Sequence, residues 1–357
     1  MTRNSDPGIL DDAARRIAGD PEGMLDHLRD FPSMLREALE LPLQDVPPRP
    51  ARFLVGGMGG SSIASEILAG FWRATGGPEL IAIRDYALPP SREGDLFLAC
   101  SYSGNTEETL SLYSEARDRD LPRFGMCSGG MLAENLREDG LLRLPVPEGK
   151  PPRAALPYML GRLLRLSGEW GFGLSQEEIV DLHESLSKTL DLCHPDRPLV
   201  GNPAKGAAEL LGEFRPVLVA LSPAYEAVAT RLRGQFEENA KRSSLSRSLP
   251  ELHHNSWIPW TGDPDPPGAA LWIGESDAHS RTLLRRELSE EILRERKLPG
   301  INIPSSGHFL FSRLLTSVLF GDFITVYHAL MRGEEPTHVR PLSAMKERLS
   351  KTGTQES

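Results

Sequence analysis

Residues 47–72 read PPRPARFLVGGMGGSSIASEILAGFW. A proline-rich entry leads into a short apolar run, Phe53–Val55, then a glycine-rich turn, then Ile63, Ile67 and Leu68 at helical spacing. Strand, polar turn, helix is the repeating unit of a doubly wound α/β sheet. The unit recurs at 95–117, DLFLACSYSGNTEETLSLYSEAR, where Leu96–Cys100 reads as a buried strand and a Ser/Gly/Asn/Thr turn precedes the next helix. Between the two, Leu80–Ile83 reads as a strand. Pro122–Cys127 and Leu141–Leu144 are weaker strand candidates. In such sheets a ligand sits beyond the C-terminal ends of the strands.

Upstream, residues 8–45 carry Leu10, Ala13, Ile17, Met24, Leu28, Phe31, Leu35 and Leu39 at roughly helical spacing, interrupted by Pro21 and Pro32. Downstream, SGEWGFGLSQEE (167–178) breaks the pattern before a new helix and marks a domain junction. The division expected is 1–170 and 171–357, as the chain length favours two domains over one core. The second half predicts helices over Ala204–Leu211 and Ala224–Phe236, and strands over Pro216–Leu221, Leu271–Ile273 and Gly300–Ile303. A DPDPPG loop, a charged helix near 280–296, an apolar helix near 308–331 and a final amphipathic segment complete it. This half repeats the α/β alternation without the glycine-rich turn.

Both turns of the first half have the makings of an anion site. Glycines in 56–62 permit close backbone approach, and the helix start that follows presents unpaired N–H groups. The turn 101–106 adds hydroxyls: Ser103, Thr106 and the amides near them can surround a phosphate, and Glu107 and Glu108 support the helix start. An anion is expected against 59–62, with Gly59, Gly60 and Ser61 as its contacts, and against 101–106. Gly-rich strand–helix turns and Ser or Thr caps are also ordinary structural devices; two in consecutive units favour a ligand. No GxxxxGK[ST] is present, and GGMGGSS lacks the third glycine of a dinucleotide fingerprint.

Candidate acid–base groups lie elsewhere. GQFEENAKRSS (234–244) places Glu237 and Glu238 beside Lys241 at a helix end, and PELHHNSW follows with Glu251, His253, His254 and Asn255. Arg153 occupies a proline-bounded turn before an apolar helix, and Lys346 lies in the C-terminal segment. Taken singly, each reads as well as a capping, core or surface residue. No HxxxH or HExxH occurs, and Cys100, Cys127 and Cys193 form no CxxC pair, so neither a metal set nor a disulfide framework is expected.

The chain has 357 residues, 39% hydrophobic and 25% charged, with a formal net charge of -10. That balance argues against a nucleic-acid or membrane-surface partner, while leaving room for a local phosphate nest. With no apolar leader at MTRNSDPG and no run of eighteen apolar residues, a cytoplasmic location is expected.

With those residues in view, the chain resembles the bifunctional phosphoglucose/phosphomannose isomerases, a family within the sugar isomerase (SIS) domain proteins. The resemblance rests on GGMGGSS at 56–62, SYSGNTEETL at 101–110, PRAALPY at 152–158, ENAK at 238–241, PELHHN at 250–255 and the ending GDFITVYHALMRGEEPTHVRPLSAMKERL. It implies two SIS domains with parallel five-stranded sheets flanked by helices, assembled as a homodimer, for which the helix near 308–331 offers apolar surface. It implies interconversion of glucose 6-phosphate and mannose 6-phosphate with fructose 6-phosphate through a cis-enediol, without metal or organic cofactor. By motif, Ser61, Ser101, Ser103 and Thr106 would line the phosphate and sugar site. Glu238 would be the base and Arg153 the charge stabiliser. His254, reaching in from the neighbouring subunit, and Lys346 would open the ring. The family usually has Gly at position 62 and Asn at 253, where this chain has Ser62 and His253. A non-catalytic SIS sugar-phosphate sensor and an isomerase of another phosphorylated aldose are the alternatives; the Glu and His positions speak against the first, the two-domain length against the second.

Overall fold

A computed structural model describes residues 5–261 and 268–352 of the chain. Nearly all of the DPDPPG stretch, like the first four residues, lies outside them. Three helices open the fold: α1 (Ala13–Gly19), α2 (Met24–Arg29) and α3 (Phe31–Glu40). Pro21 falls between α1 and α2. Pro32, expected as an interruption, sits instead in the first turn of α3, where its missing N–H costs no helix bond.

The first sheet follows as β1 (Arg52–Gly56), α4 (Gly60–Thr75), β2 (Glu79–Ile83), β3 (Asp95–Cys100), α5 (Glu107–Asp118), β4 (Arg123–Cys127), α6 (Gly130–Glu138) and β5 (Arg143–Pro145). Its order is β2-β1-β3-β4-β5, and all pairings are parallel. Helices α7 (Leu156–Glu169) and α8 (Gln176–Cys193) flank the stretch read as a junction; α9 (Pro203–Leu211) then leads to the second sheet. That sheet comprises β6 (Arg215–Ala220), α10 (Glu226–Glu238), β7 (Leu245–Ser248), α11 (Ile258–Thr261), β8 (Gly268–Ile273), α12 (Ser280–Glu295) and β9 (Gly300–Ile303). Its order is β7-β6-β8-β9, also parallel, so the described residues give it four strands where the family resemblance implied five. Helices α13 (Leu310–Met331) and α14 (Arg340–Thr352) end the chain.

Alternation along the central strands assigns each side chain to a layer. Phe53, Val55, Leu96 and Leu98 face one large core; Leu54, Phe97 and Ala99 face a smaller one beneath α5 and α6. The second sheet divides likewise, Leu218, Ala220 and Leu271 joining the large core while Val217, Val219, Ala270 and Trp272 pack against Leu293 of α12. Inner faces of both sheets therefore share one apolar interior. Through it runs α13, long and apolar enough to cross a bilayer yet buried in protein along all but its first turn. The apolar surface of this helix, expected at a subunit interface, is consumed within the chain.

Candidate active site

Each sheet reverses its direction of growth once, between β1 and β3 in the first and between β6 and β8 in the second. At the first of these points the two sequence-selected turns meet. Ser61 Oγ accepts the Tyr102 N–H at 3.2 Å, and Ser61 O lies 3.4 Å from Cys100 Sγ. Ser101 Oγ bonds Thr106 Oγ1 at 2.8 Å and accepts the Gly104 N–H at 3.1 Å, while Ser103 Oγ accepts the Asn105 N–H. Gly104 has φ +71, and a Cβ there would lie 1.7 Å from Gly129 O, so no other residue fits. Helices α8, α9 and α12 have side-chain caps from Ser175, Asn202 and His279. Neither α4 nor α5 has one. In α4 the Ser61 N–H is taken by Met58 O at 3.0 Å. Among the described residues the other first-turn N–H groups, of Gly60 and Ser62 and of Glu107 to Thr109, have no side-chain cap and are left to an anion at this point.

Arg153 enters from the segment before α7. Gly60 permits the approach: a Cβ there would stand 3.0 Å from Pro152 O and 3.3 Å from Arg153 Cα. The guanidinium is nearly buried and held on three sides. Nε donates to Asn239 Oδ1 at 2.7 Å, and Nη2 donates to Pro336 O at 2.8 Å and Thr337 O at 2.7 Å. Nη1 reaches Glu238 Oε2 at 3.4 Å. Of five N–H groups one on Nη1 stays uncommitted. Burial pulls the Arg153 pKa below its usual value, opposed first by Glu238. Arg153, Glu238, Gly59 and Gly60 line one cleft of about 170 Å³. A wider hollow of about 780 Å³ adjoins it between α4, β2 and α10, with Thr230 lining both.

Around Arg153 stands a layer that, Lys241 apart, sequence reading missed. Asn239 Nδ2 donates to Thr325 Oγ1 at 2.9 Å, and Thr325 Oγ1 donates to Asp322 O at 2.7 Å. Arg231 pairs with the buried Asp322 at 2.6 Å and donates to Arg153 O at 3.1 Å. Lys241 Nζ gathers Glu238 O at 2.9 Å and Glu335 O at 2.6 Å. Burial lowers its pKa, opposed first by Glu335. The signals were present: Asn239 lies inside ENAK, and Asp322 is an acid within an apolar helix.

Glu237 lines the same cleft as Glu238, exposed and paired with Arg233. Other expected residues stand apart: Glu251 is exposed and accepts from Asn255 at 2.6 Å. His254 is exposed on the turn 251–254 and takes no part in the Arg153–Glu238 cluster. Lys346 is exposed on α14. His253 points its ring at α12, with Nε2 2.8 Å from Ser289 Oγ and Nδ1 3.2 Å from Arg285. Burial, and then the Arg285 charge, lower its pKa. Ser62 is buried; its Oγ donates to Glu66 at 2.7 Å and accepts from Arg84 at 2.9 Å, turned away from the anion turns. Among the described residues no three His, Cys, Asp or Glu side chains converge to hold a metal ion.

Residues 201–349 match the family described as the bacterial phospho-glucose isomerase C-terminal SIS domain. The bifunctional phosphoglucose/phosphomannose isomerase of Aquifex aeolicus is 32% identical over 302 residues, 83% of this chain and 89% of that protein. Its counterpart in Caldicellulosiruptor bescii is 29% identical over 307 residues, 84% and 89% respectively. In fold the chain is similar to a hypothetical protein of Thermus thermophilus, with TM-score 0.73 and 17% identity over 97% of this chain and 95% of that one. It is also similar to a glucose-6-phosphate isomerase like protein of the same organism, with TM-score 0.62 and 20% identity over 95% and 98%.

Proposed function

The chain belongs to the bifunctional phosphoglucose/phosphomannose isomerase family, and we propose that it interconverts fructose 6-phosphate with glucose 6-phosphate and mannose 6-phosphate at the first switch point. The observation that carries this reading is the Arg153–Glu238 pair lining the same cleft as Gly59 and Gly60.

The substrate phosphate lies against the open helix starts of α4 and α5, with Ser61, Ser101, Ser103 and Thr106 supplying hydroxyls. It takes no part in bond making; its grip holds C1 and C2 in place. Glu238 moves a proton between C2 and C1 on one face of the open-chain sugar. Negative charge then develops on the enediolate oxygen, and the free Nη1 N–H of Arg153 meets it more strongly than it meets the ground state. Ring opening falls to Lys346 and to His254 of a second copy, because within one chain His254 stands outside the cluster. A homodimer in the cytoplasm, with units 1–170 and 171–357 each built on one sheet, belongs to the same proposal. The reaction moves a proton without net redox change, and no cofactor is assigned a step.

The test is incubation of the purified protein with fructose 6-phosphate in deuterated water. Both aldose phosphates are expected, with solvent deuterium at C2. Glu238→Gln keeps size and hydrogen-bonding reach but removes basicity, and should lower turnover by roughly 10³-fold or more while phosphate binding persists. Near wild-type turnover in the Gln variant would remove Glu238 as the base. If the wild type formed neither aldose, the sensor reading would replace the enzyme one.

A further inference from the structure

The second sheet also has a cavity at its switch point. It measures about 570 Å³ and opens beyond the C-terminal ends of β6, β7 and β8, lined by Ser222, Leu249 and the start of α12. Ligands in open α/β sheets favour this location. Three features fit it to an anion.

The first is charge. Arg281 and Arg285 both line the cavity. Arg281 is exposed, in the first turn of α12, and forms no ion pair among the described residues. A cation there opposes the helix dipole, an unfavourable placement that a bound anion would relieve. Asp277, the acid in the lining, is already committed to Arg313 at 2.6 Å and to Tyr225 Oη at 2.6 Å. The second is Thr282. It lines the cavity at 8% exposure, and its hydroxyl has no hydrogen-bond partner among the described residues. Such a hydroxyl keeps both its donor and its acceptor capacity for a ligand. The third is His279, whose Nδ1 accepts the Arg281 N–H at 3.1 Å. Its proton is then on Nε2, which is left free to donate.

We propose that this cavity is a second anion site, separate from the isomerisation cleft, taking a small phosphomonoester through Arg281, Arg285, Thr282 and His279. The amides of Arg281 and Thr282 are already capped by His279, so recognition there rests on side chains.

Titration calorimetry on the full chain with glucitol 6-phosphate, which has no carbonyl to isomerise, tests it. Wild type should bind two molecules per chain. Arg281→Ala with Thr282→Val should keep one and leave turnover of fructose 6-phosphate unchanged; Arg281→Ala alone should weaken the second site by roughly tenfold. Ser101→Ala with Thr106→Val should weaken the other. Two undiminished sites in the Arg281 and Thr282 variants overturn the proposal. So does one wild-type site that only the Ser101 and Thr106 variant loses. A single site lost only through Arg281 would uphold this proposal and sink the placement of the substrate phosphate. Arg281 is exposed, so its single variant decides the matter should the double variant fold poorly.

Discussion

At the end of β1 the chain turns through Gly56, Gly57, Met58, Gly59 and Gly60; at the end of β6 it turns through Leu221, Ser222 and Pro223. Across each switch point the facing helices also differ. Helix α5 begins Glu107-Glu108-Thr109 under an uncapped Thr106, whereas α12 begins Ser280-Arg281-Thr282 under a capping His279. The first site offers backbone amides and short hydroxyls, whose positions the fold itself fixes. The second offers long cationic side chains around a roomier cavity. Rigid donors suit a reaction in which two carbons must be held still, because misplacement by an ångström is costly. Flexible cations suit capture of an anion without chemistry. The first switch point is moreover the one whose cleft is lined by both members of the Arg153–Glu238 pair.

Removing the hydroxyl grip is the largest break open to this comparison. Ser101→Ala with Thr106→Val deletes two hydroxyls that we place on the phosphate, each worth about 1.5–3 kcal/mol against a charged partner. Steady-state kinetics should show kcat/KM for fructose 6-phosphate down by roughly a hundredfold or more. An unchanged kcat/KM would mean that the amides alone hold the phosphate or that it binds elsewhere.

A smaller effect separates positioning from contact. Asn239 orients Arg153 without lining the cleft, so Asn239→Ala should lower kcat about tenfold and move KM little. Asn239→Asp keeps an acceptor for Arg153 Nε and should recover part of kcat. A rise in KM with kcat intact would place Asn239 on the substrate instead.

These expectations draw unequally on what the sequence revealed. The central strands were legible because both of their faces are buried, which leaves continuous apolar runs such as Leu96–Cys100. Strand β7 was not, because as a half-buried edge with the sequence LSRS it carries no such run. The two phosphate turns could be read as a pair because neighbouring strands bring successive turns together. Arg153 and Glu238 lie 85 residues apart, and nothing in their spacing announces an ion pair. Asn239 and Asp322 left only faint signals, a position inside ENAK and an acid within an apolar helix, and Arg231 left none, because local pattern does not record which buried side chains of two distant segments meet. Thr282 has the same character, since an unpartnered hydroxyl is a property of packing.

The smallest expected change concerns Ser62, the family departure nearest the anion turns. Its hydroxyl is fully buried and engaged, donating to Glu66 and accepting from Arg84, which themselves form an ion pair. Ser62→Gly would remove both hydrogen bonds and add backbone entropy in the first turn of α4, the second term costing roughly 0.5–1 kcal/mol. The Arg84–Glu66 pair has side chains 35% and 21% exposed, so it survives as a partly screened contact of modest value. A drop of about 2–4 °C in Tm is expected. Because the Ser62 hydroxyl points to Arg84 and Glu66, KM for fructose 6-phosphate should stay within about threefold and kcat should hold. A tenfold fall in affinity would instead mean that the hydroxyl turns to the phosphate when substrate arrives. The first switch point would then grip with one more side chain than its resting geometry uses, and the contrast with the side-chain-built second site would narrow.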